Sequence, residues 1–536
     1  MTPTAAAILS AAQLDVERHS QLEAVLAAYT AIPDAEKYQQ RGSYVSQAFA
    51  LCFPSHSVAP GASGYESQRR MPWYVHRTRP TNHKSPDWAL IDQRRSTNCW
   101  LQPQVIVSPS SAPQVATALA LCRFFHVKFS IRGGGRLQIP GFTSNEGGVV
   151  ISLSNFNHIE LSDDKGVAKI GVGLRWLDVY RSLEAHGVVV AGGRVPDVGV
   201  SGLLLGGGIS FQNSQYGMGA MNVCNYEVVL ADSRIVNANA QENSDLFWAL
   251  KGGGPNYGIV TRMDMVTIPN QIWAEVQIYP PTASEQLLDA LMQYHQAIET
   301  DNKATLIWNA TDQFILVVYV YCAPIERPAV FEPFYNIPSV ATFVPAGVRS
   351  VYDLVQAVAS VNEAEPTLHE FRTMSSRPCL EVYRAIEKAH AEHVEALKDV
   401  EGLTLTTVFQ PMSSLAMQVS ANSPLGLEPV GQQWFLARAD WKHAQDEHRV
   451  RQAIRSIVDA AEAAAKEHGV YLPYKYSNYA ARDQDPLASY GAENVRRLGE
   501  VARKYDPDAV FQMLQNGGWL LSRGGWNGGP LNEAAE

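Results

Sequence analysis

The chain has 536 residues, which is too many for one hydrophobic core, so we expect two large domains. Apolar residues make up 46% and charged residues 18% of the sequence, as in an ordinary globular protein. The formal net charge of −10 argues against nucleic acid or an anionic membrane as a partner, because both select a basic face. No apolar run reaches the roughly 20 residues of a membrane-spanning helix, so we do not expect an integral membrane protein.

The first 95 residues predict a helical start and then an irregular stretch rich in Pro, Ser and Arg. The N-terminus, MTPTAAAILSAAQLDVERH, lacks the basic region of a secretory signal, and we expect a cytoplasmic location. Six cysteines are too few and too scattered for a disulfide framework. A bridge between Cys52 and Cys99 remains an open alternative.

From Val105 the pattern alternates between strands and helices. Ser111 and Pro113 predict the start of a helix, because Ser is a good N-cap and Pro fits the first turn. A strand over 127–131 then runs directly into the glycine-rich loop 132–136, R-G-G-G-R.

A second βα unit follows. A strand over 167–172, a helix around 176–183 and a strand over 188–190 lead to the glycine-rich segment 192–210. A hairpin is predicted around Asp232-Ser233, and Ser244 is expected to cap a short helix.

Pro269 marks a boundary. The strands predicted beyond it, over 275–279, 305–310 and 314–321, together with amphipathic helices such as 450–468, indicate a sheet backed by helices.

The two glycine-rich loops predict a dinucleotide site. Glycine permits positive φ and close approach to a ligand, and successive backbone N–H groups form a concavity that suits a diphosphate. Neither loop is a Rossmann fingerprint or a P-loop, because G-x-G-x-x-G does not join a strand to a helix and no Gly-Lys-Ser/Thr follows. A dinucleotide site of another architecture remains.

Six motifs extend this interpretation: RGGGRLQIPG, GVSGLLLGGGIS, EVVLAD, DLFWALKGGGPNYGIVT, NYAARDQDPLASYG and KYDPDAVFQ. In order and spacing they resemble the berberine-bridge-enzyme-like branch of the vanillyl-alcohol-oxidase family, and most of all its fungal natural-product members. The resemblance implies an α+β, two-domain FAD-binding fold of the PCMH type, with a substrate domain of antiparallel sheet and helices.

The resemblance also implies a division of the chain. We expect an N-terminal segment (1–95) packed on the FAD domain, an FAD-binding domain (96–270), a substrate domain (271–470) and a C-terminal segment (471–536) that returns to the FAD domain.

By resemblance, the glycine loops wrap the diphosphate and ribityl chain of FAD, a later strand lines the adenine, and the C-terminal segment contacts the isoalloxazine. The residues implied are Arg132, Gly133, Gly134, Gly135, Arg136, Pro196, Asp197, Val198, Gly199, Ser201, Gly202, Gly206, Gly207, Gly208, Gly258, Ile259, Val260, Tyr476 and Asn478.

Two positions depart from the family pattern. Arg136 stands where most relatives carry the histidine that bonds to the flavin, and a guanidinium is protonated at any working pH. Val195 stands where some relatives carry a second, cysteinyl anchor. We therefore predict that FAD is bound non-covalently, with Arg136 either pairing with a phosphate or the flavin edge or pointing to solvent.

The family position makes Tyr476 and Tyr479 the candidates for a catalytic base, since a neighbouring cation can activate a tyrosine. Alternatively, the two rings only pack on the flavin and bond to Asn478. Asn422 is expected to face the active site, unless it lies in a plain turn.

Other polar residues are weaker candidates. Glu370 and Arg372 are possible substrate contacts on a strand. His390 and His393 are expected on a solvated helix face, with no third ligand for a metal, so no metal site is predicted.

The resemblance implies oxidation or dehydrogenation of a small secondary-metabolite intermediate, with or without coupled cyclisation, and with electrons passed to O₂ to release peroxide. One alternative is a non-redox cyclase or isomerase in which FAD is structural and the pocket orders a reactive intermediate. Another is a non-catalytic relative that keeps only the fold.

Overall fold

The computed structural model describes residues 2–70, 97–359 and 367–523. The irregular stretch expected before residue 95 falls largely on 71–96 and so lies outside the described residues. Within the described ranges, no helix has both the length and the apolar character needed to cross a bilayer.

Helices open the chain, as the sequence predicts. They are α1 (Ala5–Ala12), α2 (Val16–Ala31), α3 (Asp34–Cys52) and α4 (Tyr65–Arg69). The Asp15 carboxylate caps α2 by accepting from the backbone amide of Arg18 at 2.9 Å. Leu22 and Phe49 are fully buried in the same core as the sheets that follow, so these helices pack onto the body of the protein.

The first sheet is small and mostly parallel. It contains β1 (Ser57–Val58), β2 (Val105–Val107), β3 (Phe129–Arg132) and β4 (Val149–Ser152), in the order β1-β2-β4-β3. Strands β2 and β3 both run parallel to β4. The helix α5 (Ala112–Phe124) packs on this sheet, and Ser111 caps it as expected, its hydroxyl accepting from the amide of Gln114.

The second sheet is antiparallel and carries the second glycine-rich loop. Its strands are β5 (Ile159–Leu161), β6 (Val167–Gly171), β7 (Val188–Val190), β8 (Val223–Val229), β9 (Ile235–Asn239) and β10 (Ile259–Pro269). The helices are α6 (Trp176–Glu184), α7 (Val200–Leu205), α8 (Asn213–Tyr216) and α9 (Ser244–Leu250). The hairpin around Asp232-Ser233 is confirmed. The cap of α9 is not Ser244 but Asn243, whose φ is 51°.

The third sheet has eight antiparallel strands, ordered β14-β11-β13-β12-β16-β17-β15-β18. They are β11 (Gln271–Tyr279), β12 (Ala304–Ala310), β13 (Ile315–Tyr321), β14 (Ala341–Ser350), β15 (Leu368–Ser376), β16 (Thr404–Met412), β17 (Gln432–Trp441) and β18 (Tyr471–Leu472). All three strands predicted beyond Pro269 are confirmed, and the chain enters this sheet at that point.

Helices cover one face of the third sheet. They include α10 (Ser284–Ala297), α12 (Leu380–Ala396) and α14 (Glu447–Glu467), while α11 (Val351–Ala359) and α13 (Ser414–Val419) lie elsewhere in this part of the chain. Large side chains between helices and sheet, among them Trp308 and Tyr383, form a second core. The opposite face of the sheet is left to line a cavity.

The C-terminal segment returns to the first sheet. After α15 (Ala492–Tyr505) and α16 (Val510–Met513), the backbone of Phe129 exchanges hydrogen bonds with Leu514 and Asn516 at 2.9 and 2.7 Å. Cys52 and Cys99 are both free thiols, so the bridge left open by the sequence is not formed. The fourfold division of the chain stays a prediction.

Candidate active site

A single cavity of about 690 Å³ lies between the glycine-rich loops and the uncovered face of the eight-stranded sheet. The C-terminal segment contributes a third wall through residues 476–479 and 515–519. A concave, largely apolar site with a few polar groups is the usual form of a small-molecule site. Elements from three parts of the chain therefore meet in one place.

The two glycine-rich loops touch each other. A Cβ on Gly133 would meet the Ser201 hydroxyl, and a Cβ on Gly134 would meet the backbone of Gly199. Only glycine permits this approach, and Gly135 additionally has φ of 64°. The crossing of the two loops forms the floor of the cavity.

Most of the residues implied for FAD line the cavity. They are Gly133, Gly134, Gly135, Arg136, Val198, Gly199, Ser201, Gly202, Gly206, Gly258, Ile259, Val260, Tyr476 and Asn478. Five others do not line it, namely Arg132, Pro196, Asp197, Gly207 and Gly208. Arg132 instead points to the N-terminal segment, where it donates to the carbonyl of Gln68 at 2.9 Å, and burial lowers its pKa to about 10.

Arg136 has a protein partner. Its guanidinium pairs with the carboxylate of Asp197, which is only 3% exposed, and the backbone carbonyl of Asp197 accepts from Arg175. A buried carboxylate needs such a cation. Val195, at the position of the second anchor, lines the cavity and is 40% exposed. Neither side chain can supply a nucleophile.

Tyr476 is fixed by two donors. Its hydroxyl accepts from the amide of Ile209 at 3.2 Å and from Nδ2 of Asn478 at 2.9 Å. Burial raises the pKa of Tyr476 well above its usual value, more than the nearby donors lower it. The bond to Asn478 that the alternative interpretation expects is present, whereas the role of Tyr476 as a base stays a prediction.

Tyr479 has a different environment. Its hydroxyl lies 3.1 Å from Nη2 of Arg194 and 3.5 Å from Oε1 of Gln410, and Arg194 also donates to Gln410. All of these side chains except Gln410 line the cavity. An adjacent guanidinium stabilises negative charge that develops on an oxygen during proton transfer. Tyr479 thus meets the condition for a base, a tyrosine with a neighbouring cation.

Three polar residues of the third sheet that line the cavity were not predicted from the sequence. His369, Arg438 and Asp440 line the cavity, whereas the predicted Glu370 and Arg372 point to the helix-covered face. There Glu370 is paired with Arg451 and Arg482, and Arg372 with Asp483. Alternate residues of a strand face opposite sides, so the prediction had the right strand and the wrong face.

Asn422 does not reach the cavity. It is exposed on a bend and is not among the lining residues, so the turn is the interpretation that fits. His390 is buried rather than solvated, and its Nε2 lies 3.0 Å from the carbonyl of Leu405. In the described ranges, the one group of three potential metal ligands is Cys379, Glu381 and His468, away from this cavity.

The residues present fit a dinucleotide. Gln138 lines the cavity and is 1% exposed, yet neither of its side-chain amide atoms has a hydrogen-bond partner among the residues that the structure describes. Buried polar atoms are rarely left without a partner unless a ligand or water completes them. Together with the crossed glycine loops, Gln138 marks a place for a ligand rich in donors and acceptors.

Two family models match the chain. The model described as "FAD binding domain" matches residues 103–239, which hold both glycine-rich loops. The model described as "Berberine and berberine like" matches residues 475–516, which hold Tyr476, Asn478 and Tyr479.

Relatives match over most of the chain. It is 38% identical to an FAD-dependent monooxygenase of Arthrobotrys oligospora over 441 residues, 81% of this chain and 85% of the relative. It is 34% identical to the bifunctional solanapyrone synthase of Alternaria solani over 426 residues, 78% of this chain and 82% of the relative.

Solved structures share the fold. The 6-hydroxy-D-nicotine oxidase of Arthrobacter nicotinovorans has a TM-score of 0.70 at 20% identity, covering 86% of this chain and 97% of that one. The Physcomitrella patens BBE-like 1 protein has a TM-score of 0.70 at 17% identity, covering 85% and 95%. The PCMH-type α+β fold is confirmed, and FAD is the cofactor. The chain belongs to the berberine-bridge-enzyme-like family of FAD-dependent oxidoreductases.

Proposed function

We propose that this enzyme oxidises a small intermediate of a biosynthetic pathway, with FAD held non-covalently and O₂ as the electron acceptor. The observation that carries the proposal is the single cavity that the glycine loops and the third sheet line together. A substrate on the sheet would face a cofactor on the loops. The names of the relatives, an FAD-dependent monooxygenase and a synthase, support a pathway of this kind.

In the proposed chemistry, the cofactor accepts the hydride equivalent and side chains of the protein handle the proton. When bound, FAD supplies an acceptor for the hydride equivalent that leaves the substrate. Tyr479 would take the proton from the substrate hydroxyl or amine, and Arg194 would stabilise the charge on its oxygen. Tyr476 would stay protonated and hold Asn478 in place, and the apolar sheet face would exclude water.

Non-covalent binding is supported by the pair Arg136–Asp197. A guanidinium committed to a buried carboxylate is neither a nucleophile nor readily displaced. Val195 at the other anchor position is equally inert. Arg136 would contribute positive charge near the cofactor without bonding to it.

A second candidate is the non-redox cyclase. The apolar part of the cavity, with Ile307, Val318, Val408 and Leu436, could fold a reactive intermediate into one conformation. One relative is named a bifunctional synthase, which is compatible with a second kind of step. In this case FAD would be structural.

Spectroscopy distinguishes these candidates. Acid precipitation of the purified holoenzyme should leave the yellow flavin in the supernatant, and flavin in the pellet would contradict non-covalent binding. Anaerobic mixing with candidate substrates should bleach the flavin, and admitted air should restore the colour with release of peroxide. Conversion of a substrate to an isomer of the same mass without bleaching would identify the cyclase instead.

A further inference from the structure

A second polar cluster occupies the cavity, away from Tyr479. It consists of His369, Asp440, Arg438 and Thr367, all of which line the cavity. Nδ1 of His369 contacts the carboxylate of Asp440, and Nη2 of Arg438 lies 2.7 Å from the same carboxylate. Nε2 of His369 lies 3.1 Å from the Thr367 hydroxyl. The proposed function assigns no role to this cluster.

The strand register places the cluster at one end of the site. Across three neighbouring strands, Thr404 pairs with Asp440 and Asp440 with His369. On β17, Arg438 lies two residues before Asp440, and Leu436 lies two residues before Arg438. Each of these steps is about 7 Å. The cavity face therefore changes from polar to apolar within two rows of side chains.

Tyr479 and the cluster are separated along β15. The ring of Tyr479 meets the ring of Phe371 edge-on, with centroids 6.4 Å apart. His369 lies one side-chain repeat, about 7 Å, beyond Phe371 along β15. The cavity thus holds two polar groups of side chains, one at Tyr479 and one at His369, with the ring of Phe371 between them.

The charges in the cluster determine which hydrogen-bonding group it suits. Burial raises the pKa of Asp440, but Arg438 and His369 lower it further, so the carboxyl is ionised. Because a carboxylate can only accept, Nδ1 of His369 donates to Asp440, and Nε2 is the ring nitrogen that lies next to the Thr367 hydroxyl. The charges of Arg438 and Asp440 offset each other.

We propose that this cluster binds a neutral, weakly acidic hydroxyl group, a phenol or an enol, at the far end of an elongated apolar substrate. The hydroxyl would donate to Nε2 of His369, directly or through Thr367, while the apolar body lies along Phe371 and Leu436. This inference rests on the proposed function, since it describes the substrate of the same cavity. An anionic group is disfavoured because Arg438 is already matched by Asp440.

Calorimetric titration of the holoenzyme tests the class of group. The probes are 4-octylphenol, its methyl ether 4-octylanisole, and 4-octylbenzoate. We expect the phenol to bind up to about tenfold more tightly than the ether, the value of one hydrogen bond. Equal binding of phenol and ether, or tighter binding of the benzoate anion, overturns the proposal whatever any variant does.

Variants test the location. His369→Leu should abolish the preference for the phenol over the ether, and His448→Leu, on the exposed surface of α14, should keep it. If His369→Leu does not retain FAD, His369→Asn serves, because its shorter side chain cannot reach the Nε2 position. A preference that survives in the His369 variant tested overturns the assignment.

These titrations need no turnover. A protein that prefers the phenol but reduces its flavin with no substrate would contradict the proposed redox function and leave this inference standing. A protein that oxidises a substrate but binds phenol and ether equally would support the proposed redox function and contradict this inference.

Discussion

At the scale of single residues, Tyr479 is the side chain whose removal is most informative. Tyr479→Phe removes the hydroxyl that contacts Arg194 but keeps the ring packed on Tyr476 and Phe371, with centroids 4.8 and 6.4 Å away. We expect flavin reduction to slow by about 10²- to 10⁴-fold, the usual contribution of a general base. Anaerobic stopped-flow with a substrate that reduces the wild-type flavin measures this rate.

A matched control is Tyr505→Phe. The Tyr505 hydroxyl bonds to Asp245 at 2.7 Å, outside the cavity, and its loss should leave the reduction rate unchanged. If Tyr479→Phe reduces its flavin within twofold of the wild-type rate, Tyr479 is not the base.

The residues also show where sequence reasoning stops. Glycine loops are predictable because their glycines are needed by local backbone geometry, as at Gly134 and Gly135. The partner of Arg136 could not be predicted, because Asp197 is distant in the sequence and is brought next to Arg136 only by folding. His369 escaped notice for another reason, since a strand pattern gives the alternation but not which set of residues faces the ligand.

At the scale of elements, a buried histidine joins α10 to the sheet. Nε2 of His295 lies 3.2 Å from Oε1 of Gln433 on β17 and 2.9 Å from the Tyr383 hydroxyl on α12. Burial lowers the pKa of His295 to about 4, against 6.5 in an unfolded chain. Protonation of His295 therefore opposes the packing of three elements.

This gives a pH dependence with a definite sign. As pH falls from 6.5 towards 4, the unfolded chain binds a proton that the folded chain excludes, so stability is lost in that window. The loss is at most about 1.4 kcal/mol per pH unit. We expect the fall in Tm between pH 7 and pH 5 to be smaller in His295→Gln than in wild type, as measured by differential scanning calorimetry.

The control for this measurement is His448→Gln, which alters an exposed histidine on α14 and should keep the wild-type pH dependence. An acid-induced fall in Tm that is unchanged in His295→Gln would mean that other groups account for it.

Elements were predictable where a local signal exists. The cap of α5 at Ser111 and the strands beyond Pro269 follow from residue preferences and alternation. The start of α9 was misplaced by one residue because Asn243 reaches a left-handed conformation, which a sequence signal for Ser capping does not reveal. The order of the eight-stranded sheet could not be read at all, since strand neighbours depend on long-range packing.

At the scale of the whole molecule, the cavity that we propose to hold FAD joins all three sheets and the C-terminal segment. A ligand that binds only the folded state raises stability with its concentration, by about 2.7 kcal/mol at 100 times its Kd. We expect the Tm of flavin-depleted protein to rise with added FAD, in steps that follow this logarithmic law. Riboflavin, which lacks the diphosphate and adenine, should give a smaller shift.

A Tm that does not change with added FAD would contradict an exchangeable cofactor. So would a preparation from which flavin cannot be removed without denaturing the protein.

The C-terminal wall of the cavity has a consequence for the order in which the enzyme is made. In the first half of the chain, the amides of Phe129 and Ile209 donate to the Leu514 carbonyl and the Tyr476 hydroxyl, and the Phe129 carbonyl accepts from the amide of Asn516. During vectorial synthesis on the ribosome, earlier regions fold before these residues exist. We therefore expect the wall of the cavity to be complete only after residues 514–516 have been synthesised, so that a nascent chain lacking them would bind FAD more weakly than the full chain.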